Sequence, residues 1–210
     1  MITEQMLTAL REDIKPYMDP ARYPHALGVE EEMRALTAYF LPDKTAEGAA
    51  AGLLHDITRR LSYAEHLAYI ERYGIEVSEE ERTIPPALHA KTGAHFIRDR
   101  FADFATEDVI HAISCHTLAD ESMTVFDILL FFADFIEKNR TYEDCIALRH
   151  LFYDNASQRV ADKQAFLYEL IIAACDASLN DLILTARPIA IKTIRARNKM
   201  LSLLAKTGKK

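Results

Sequence analysis

An all-α bundle is the fold this sequence predicts. Apolar residues recur at three- and four-residue steps along nearly its whole length. No stretch alternates polar and apolar residues between turn signals, as a strand would. Six Gly and seven Pro in 210 residues leave few places to turn. Half the residues are hydrophobic and 27% are charged, which suffices for one substantial core and excludes collagenous, low-complexity and disordered chains. With no internal repeat or flexible linker, residues 1–210 are expected to form one domain, with a helical extension over about 155–210.

The elements follow in order. A first helix is predicted from Thr3 to Tyr17, stopped near Pro16, and a second from Ala21 to Phe40, stopped by Leu41-Pro42. The second places Val29, Met33, Leu36 and Phe40 on one stripe; His25 extends it one turn earlier and therefore points inward. A third is expected to start at Asp43 as N-cap and to run through the small-residue stretch Gly48–Gly52 to Ile57. Ser62 with Glu65 has capping-box spacing and opens a helix ending at Gly74; Ser78 with Glu81 repeats the signal. Pro85-Pro86 opens a helix through His89 to Arg100, and Thr106 and Thr124 cap the helices carrying His111/His116 and Asp134. Helices over 142–153, 156–181 and 186–206 complete the chain.

The net charge of -7 argues against a protein that works by coating nucleic acid. Charge is uneven, however: Arg187 to Lys210 holds eight Lys or Arg and no acid, leaving 17 positive against 32 negative charges elsewhere. A C-terminal helix with a solvated basic face is expected there, the alternative being a phosphate-attracting tail. Cys115, Cys145 and Cys175 are odd in number and widely spaced, which fits a reducing cytoplasm rather than a disulfide framework or zinc ribbon. The opening MITEQMLTALREDI has no apolar region of signal-peptide type. Ile128–Ile136 is too short to span a bilayer and contains an Asp, so it reads as a buried core helix and no membrane partner is expected.

Chemistry concentrates in His25, the adjacent His55-Asp56, His89, His116 and Asp134. Asp134 sits among Leu129, Leu130, Phe131, Phe132, Phe135 and Ile136, which leave it hardly any polar face. A buried carboxylate costs several kcal/mol unless compensated. Either an Arg or Lys from another helix pairs with it, or it shares a cation with the inward imidazoles. Such N/O ligation suits Fe, Mn, Zn, Co or Ni better than Ca. On a regular helix His55 and Asp56 diverge by about 100°; they can still meet at a helix end, or serve two sides of a two-metal site. His66, His95, His111 and His150 read as ordinary surface or core histidines.

Five ordered blocks resemble one family. Arg22-Tyr23-Pro24-His25-Ala26-Leu27-Gly28-Val29, Ala51-Gly52-Leu53-Leu54-His55-Asp56-Ile57, Leu88-His89-Ala90-Lys91-Thr92-Gly93-Ala94, Ala112-Ile113 with His116-Thr117, and Ala133-Asp134-Phe135-Ile136-Glu137 with Arg140 together resemble the HD-domain metal-dependent phosphohydrolases. The likeness spans about residues 20–145 and is greatest to the YqeK-like branch, described as symmetrical bis(5'-nucleosyl)-tetraphosphatases. It implies His25, His55, Asp56 and Asp134 as ligands of one metal, with His89 and His116 completing a second site or touching phosphate. It also implies iron, often as a pair, and a nucleotide substrate. Three positions depart from the pattern: Arg59 replaces a lysine, Ala119 a glycine and Lys138 a proline. Arg59 keeps the charge but cannot trade a proton.

The activity expected is metal-assisted hydrolysis of a phosphoanhydride, with Asp56 orienting the attacking water; the resemblance implies diadenosine tetraphosphate, cut to two ADP, as the substrate. Arg59, Lys91 and Arg140 would neutralise phosphate. The alternatives are an HD phosphohydrolase acting on another nucleotide, and a metal-bound nucleotide-binding module without turnover. A homodimer is compatible with either.

Overall fold

The computed structural model describes residues 1–208. Its described residues form α-helices and short 3-10 turns with no strand: α1 (Glu4–Asp13), α2 (Tyr23–Phe40), α3 (Thr45–Leu54), α4 (Tyr63–Tyr73), α5 (Glu79–Thr83), α6 (Leu88–Arg100), α7 (Glu107–Cys115), α8 (Val125–Ile136), α9 (Glu143–Tyr153), α10 (Lys163–Leu184) and α11 (Ile191–Thr207). No described helix is long and apolar enough to cross a membrane.

Helix starts follow local chemistry. Both capping boxes form, Ser62 with Glu65 and Ser78 with Glu81, and α4 ends on Gly74 in the left-handed region (φ 60°). Thr106 and Thr124 accept from the backbone N–H groups of Val109 and Asp127 as N-caps. Several ends differ from expectation. Thr3 caps α1, which stops at Asp13, because Pro16 confines residues 15–17 to a 3-10 turn. Asp43 lies inside a 3-10 turn and α3 begins at Thr45. Helix α3 stops at Leu54, so His55 and Asp56 fall in a run of turns rather than in a helix continuing to Ile57. Residues 156–162 are two 3-10 turns, and α10 starts at Lys163.

The core is built where α2, α3, α7 and α8 meet. Helix α8 contributes Phe126, Leu129, Leu130, Phe131, Phe132 and Ile136, all buried; each large apolar side chain so removed from water stabilises the fold by about 1.5–3 kcal/mol. Helices α2 and α3 approach closely at Gly52, where a Cβ would lie 2.7 Å from the Glu30 backbone. That contact sets the small-residue composition of α3 and seats His55 against α2.

Helices α10 and α11 pair with each other, and α10 packs on α8 and α9. The cations of the basic segment are largely engaged within the chain. Arg187 pairs with Asp181 and Arg197 with Asp176. Lys192 reaches Glu81 (2.9 Å) and Asp120 (3.5 Å), and Lys199 donates to the Glu121 carbonyl (2.6 Å). The segment is a docked helix, but most of its described cations are paired within the chain rather than forming the solvated basic face expected; Lys209 and Lys210 lie outside the described residues.

Candidate metal centre

Four histidines and two aspartates from five segments converge beneath the N-terminal part of α2. His25 stands on the first turn of α2, His55 and Asp56 on the turn after α3, His89 on the first turn of α6, His116 at the end of α7, and Asp134 near the end of α8. All four imidazoles are buried, as is Asp56; the Asp134 side chain is 20% exposed and faces the mouth of the site. His55 keeps helical dihedrals (φ -55°, ψ -38°) at the end of α3, and Asp56 Oδ2 lies 3.7 Å from His55 Nε2.

Each ring is oriented through Nδ1. His55 Nδ1–H donates to the Gly52 carbonyl at 2.7 Å and His116 to that of Ile113 at 2.7 Å, while His89 Nδ1 lies 2.5 Å from the Pro86 carbonyl and 2.8 Å from Arg59 NH1. His25 Nδ1–H donates to Glu137 Oε1 at 3.1 Å. A carbonyl or carboxylate only accepts, so these contacts place a proton on Nδ1 of His25, His55 and His116 and leave the lone pair of His55 and His116 on Nε2. The four Nε2 atoms then face one another in two pairs: His25 with His55 at 3.1 Å, and His89 with His116 at 3.0 Å.

The carboxylates complete the set. Asp134 Oδ1 lies 3.1 Å from His25 Nε2 and 4.0 Å from His55 Nε2. Asp56 faces both pairs. Its Oδ2 is 3.8 Å from His25 Nε2 and 3.7 Å from His55 Nε2, while its Oδ1 is 3.0 Å from His89 Nε2 and 3.9 Å from His116 Nε2. Two donors bound to one ion at about 2.0–2.2 Å stand roughly 2.9–3.6 Å apart, so the shorter of these separations already match joint ligation. Electron-rich atoms packed at this distance need a proton or a metal ion between them.

Protonation tells the same story. Burial would push His25 down, but its hydrogen bonds to Asp134 and Glu137 outweigh this and raise it to about 9, so without metal a proton occupies the first pair. In the second pair burial wins: it pushes His116 down to about 4, and it lowers His89 despite the hydrogen bond to Asp56. Burial opposes ionisation of Asp56 and Asp134 as well, yet His55 and His89 hold Asp56 well below the usual carboxylate range, and Arg140 and His25 do so for Asp134. The metal-free site thus keeps two anions beside one protonated imidazole, His25, and three neutral ones; a transition-metal ion that displaces the His25 proton fits this donor set.

The family model described as HD domain matches residues 22–180. This chain belongs to the HD domain family. The HD domain implies binding of a divalent metal, and this chain has clusters of His and Asp side chains that could hold such an ion. Among relatives, it is 34% identical over 89 residues to an uncharacterized protein of Lactococcus lactis subsp. cremoris, covering 42% of this chain and 45% of that one. It is 30% identical over 146 residues to a symmetrical bis(5'-nucleosyl)-tetraphosphatase of Bacillus subtilis (strain 168), covering 69% and 76%. The chain therefore spans under half of the first relative and about three quarters of the second. A crystal structure of a predicted HD superfamily hydrolase involved in NAD metabolism from Clostridium acetobutylicum shares the fold, with a TM-score of 0.79 at 22% identity over 96% of this chain and 99% of that one.

Other residues singled out in the sequence take varied positions around this HD centre. Arg59 NH1 donates to the Pro86 carbonyl at 3.1 Å, beside His89, and lines a cavity of about 220 Å³ with Arg22, Arg60, Asp19, Met18 and Asp56. Arg140 pairs with Asp134 Oδ1 at 2.5 Å and donates through Nε to its carbonyl at 2.9 Å. Asp134 therefore has imidazole neighbours and an arginine, the latter from the loop that follows its own helix rather than from another helix. Lys91 stands two residues beyond His89, turned away from it on α6; it pairs with Glu81 (3.4 Å) and lines a separate cavity with His95, Arg98 and His111. Lys138 meets Glu31 at the surface. Ala119 adopts φ 57°, so the backbone shape a glycine would favour is kept without one.

Three site residues escape sequence reasoning. Glu137 is buried, orients His25, and is itself fixed by the backbone N–H (2.7 Å) and side-chain amide (2.9 Å) of Asn139. Arg22 donates to Asp56 Oδ2 at 3.0 Å. Thr117 Oγ1 lies 3.3 Å from His89 Nε2. All three sit inside or beside the motif blocks, but nothing in their own spacing marks them.

Proposed function

We propose that this chain hydrolyses diadenosine tetraphosphate symmetrically, to two ADP. The observation that carries the reading is the doubled arrangement itself: two Nε2 pairs sharing Asp56, under a rim of Arg22, Arg59 and Arg60. The name of the Bacillus subtilis relative supports the substrate. Iron is the metal proposed; His25, His55, Asp56 and Asp134 would hold one ion, and His89 and His116 would complete a second site. Bound there, the metal supplies Lewis acidity, lowering the pKa of water and polarising a phosphoryl oxygen.

The residues do the rest. Arg22, Arg59 and Arg60 take the charge of the polyphosphate at the mouth, and Arg140 steadies Asp134 while lying within reach of the same face. Asp56, held ionised, accepts a hydrogen bond from the attacking water and fixes its direction. Water oxygen bonds to one of the two central phosphorus atoms as the bridge between them breaks, and one ADP leaves with the bridging oxygen. The buried floor of His55, His89 and His116 keeps bulk water from the opposite side. Three buried, unpaired cysteines suit a reducing compartment, and the cytoplasm is the location assigned.

Product analysis on metal-loaded protein tests this reading. Two ADP is the expected result; AMP plus ATP, or no turnover with metal bound, rejects it.

A further inference from the structure

Outside the HD centre, a second group of metal-ligating side chains has no role in the reaction above. His111 and Cys115 lie four residues apart on α7, hence on one face of that helix, and Asp127 belongs to the first turn of α8 beside them. A donor atom of each lies within 4.8 Å of the other two. Asp127 is fully buried. Its Oδ2 accepts from His111 Nδ1 at 2.7 Å and from the Thr124 backbone N–H at 2.6 Å. Its Oδ1 has no partner, and is the single buried side-chain polar atom so left among the described residues. A carboxylate oxygen sealed from water without a donor is a costly state that a cation would relieve.

Access exists. The His111 side chain is 43% exposed and forms part of the wall of a cavity of about 340 Å³, shared with Lys91, His95, Arg98 and Ser114. Cys115 and Asp127 lie behind it, buried. An ion reaching the group from this cavity would meet imidazole first and could keep a water ligand on the open side.

From this geometry we propose that His111, Cys115 and Asp127 form a second metal site, distinct from the HD centre, for a borderline-soft divalent cation of the zinc class. Thiolate, carboxylate and neutral imidazole sum to two negative charges, which a divalent ion cancels; binding releases the thiol proton to solvent. The sulfur ligand separates the two centres chemically. The HD centre offers only nitrogen and oxygen, whereas thiolate with imidazole favours zinc and its cobalt substitute over calcium or magnesium.

Cobalt titration of the full chain reads this site without reference to hydrolysis, because thiolate ligation gives a sulfur-to-cobalt charge-transfer absorption that nitrogen and oxygen ligands do not. The wild-type chain is expected to show that absorption, and zinc to abolish it by displacement. Cys115→Ser should remove it while cobalt still binds at the HD centre. Asp127→Asn, which keeps an oxygen for the Thr124 cap, should weaken the thiolate signal's cobalt affinity by at least about tenfold. His55→Ala should leave the absorption in place, which separates this site from the HD centre. Far-ultraviolet circular dichroism checks that each variant is folded, and Cys115→Ala replaces Cys115→Ser if the serine variant is not. Absence of the absorption in folded wild-type protein, its persistence in the Cys115 variant, or its loss in Cys145→Ser instead, overturns the proposal.

Discussion

His25 Nε2 lies 3.1 Å from His55 Nε2, although both rings donate their Nδ1 protons elsewhere, His25 to Glu137 and His55 to the Gly52 carbonyl. Glu137 is separated from His25 by 112 residues and decides which nitrogen faces the site. It is a positioning residue: it touches no substrate and acts through the ring. Partners of this kind typically account for 10–100-fold in metal affinity.

Glu137→Ala is therefore expected to weaken metal binding by about 10–100-fold while the chain stays folded, and Glu137→Gln, which still accepts a hydrogen bond, to weaken it less. Metal-competition titration of the two variants measures both. Equal affinity in Glu137→Ala and wild type would show that His25 needs no such support.

Arg59 carries no proton-transfer role here, since a guanidinium stays charged and this one already anchors to the Pro86 carbonyl. Arg59→Ala should raise KM by about 10–100-fold, the range of a lost charge-assisted hydrogen bond, with a smaller effect on kcat. Arg59→Lys should recover most of the affinity without raising kcat. A large rise in kcat for Arg59→Lys would mean that lysine does at this position something that charge alone does not.

Ala119 is buried with its backbone in the left-handed region, which costs a non-glycine residue about 1–2 kcal/mol. Ala119→Gly relieves that strain but gives up a buried methyl, about 0.8 kcal/mol, and adds freedom to the unfolded chain. The two sides nearly cancel, so denaturant unfolding should shift by less than about 1 kcal/mol. Ala50→Gly, in the interior of α3, has no strain to relieve and should destabilise by roughly 1 kcal/mol or more. Equal losses at the two positions would contradict the strain at Ala119.

Glu81 ties α5 to α6 and α11 through Lys91 (3.4 Å) and Lys192 (2.9 Å). Burial raises its pKa, but the Ser78 backbone hydrogen bond and the two lysines reverse this and lower it to about 2. Its folded value lies below the ordinary 4.5 of the unfolded chain, so the folded state favours the ionised form. The stability this contributes is complete above pH 4.5 and is lost as pH falls toward 2, amounting to about 3 kcal/mol. Glu81→Gln should be less stable at pH 7 and should show a flatter acid limb between those values. An unchanged acid limb would place the pH response elsewhere.

Local physics explains what the sequence discloses. The Ser62–Glu65 and Ser78–Glu81 boxes close within one turn, so four residues suffice to read them. The inward stripe of α2 likewise follows from spacing, and it puts His25 in the site. What stays hidden depends on distance or on an ending without punctuation. Helix α3 stops at Leu54 with no Gly or Pro to announce it, so the turn that carries His55 and Asp56 cannot be read from spacing. Asp134 looks sealed among apolar neighbours, but α8 ends two residues later and leaves it at the mouth. Lys91 shares a motif block with His89, and only the helical rotation between them shows that it faces Glu81 instead.

Anomalous diffraction from crystals of the full chain, grown after exposure to Fe, Mn, Co, Ni and Zn in turn, tests the metal centre most directly. The expected result is metal between His25 and His55, contacting Asp56 and Asp134, with a second peak beside His89 and His116 on the other oxygen of Asp56. Crystals that take up none of these metals among the six side chains would contradict it.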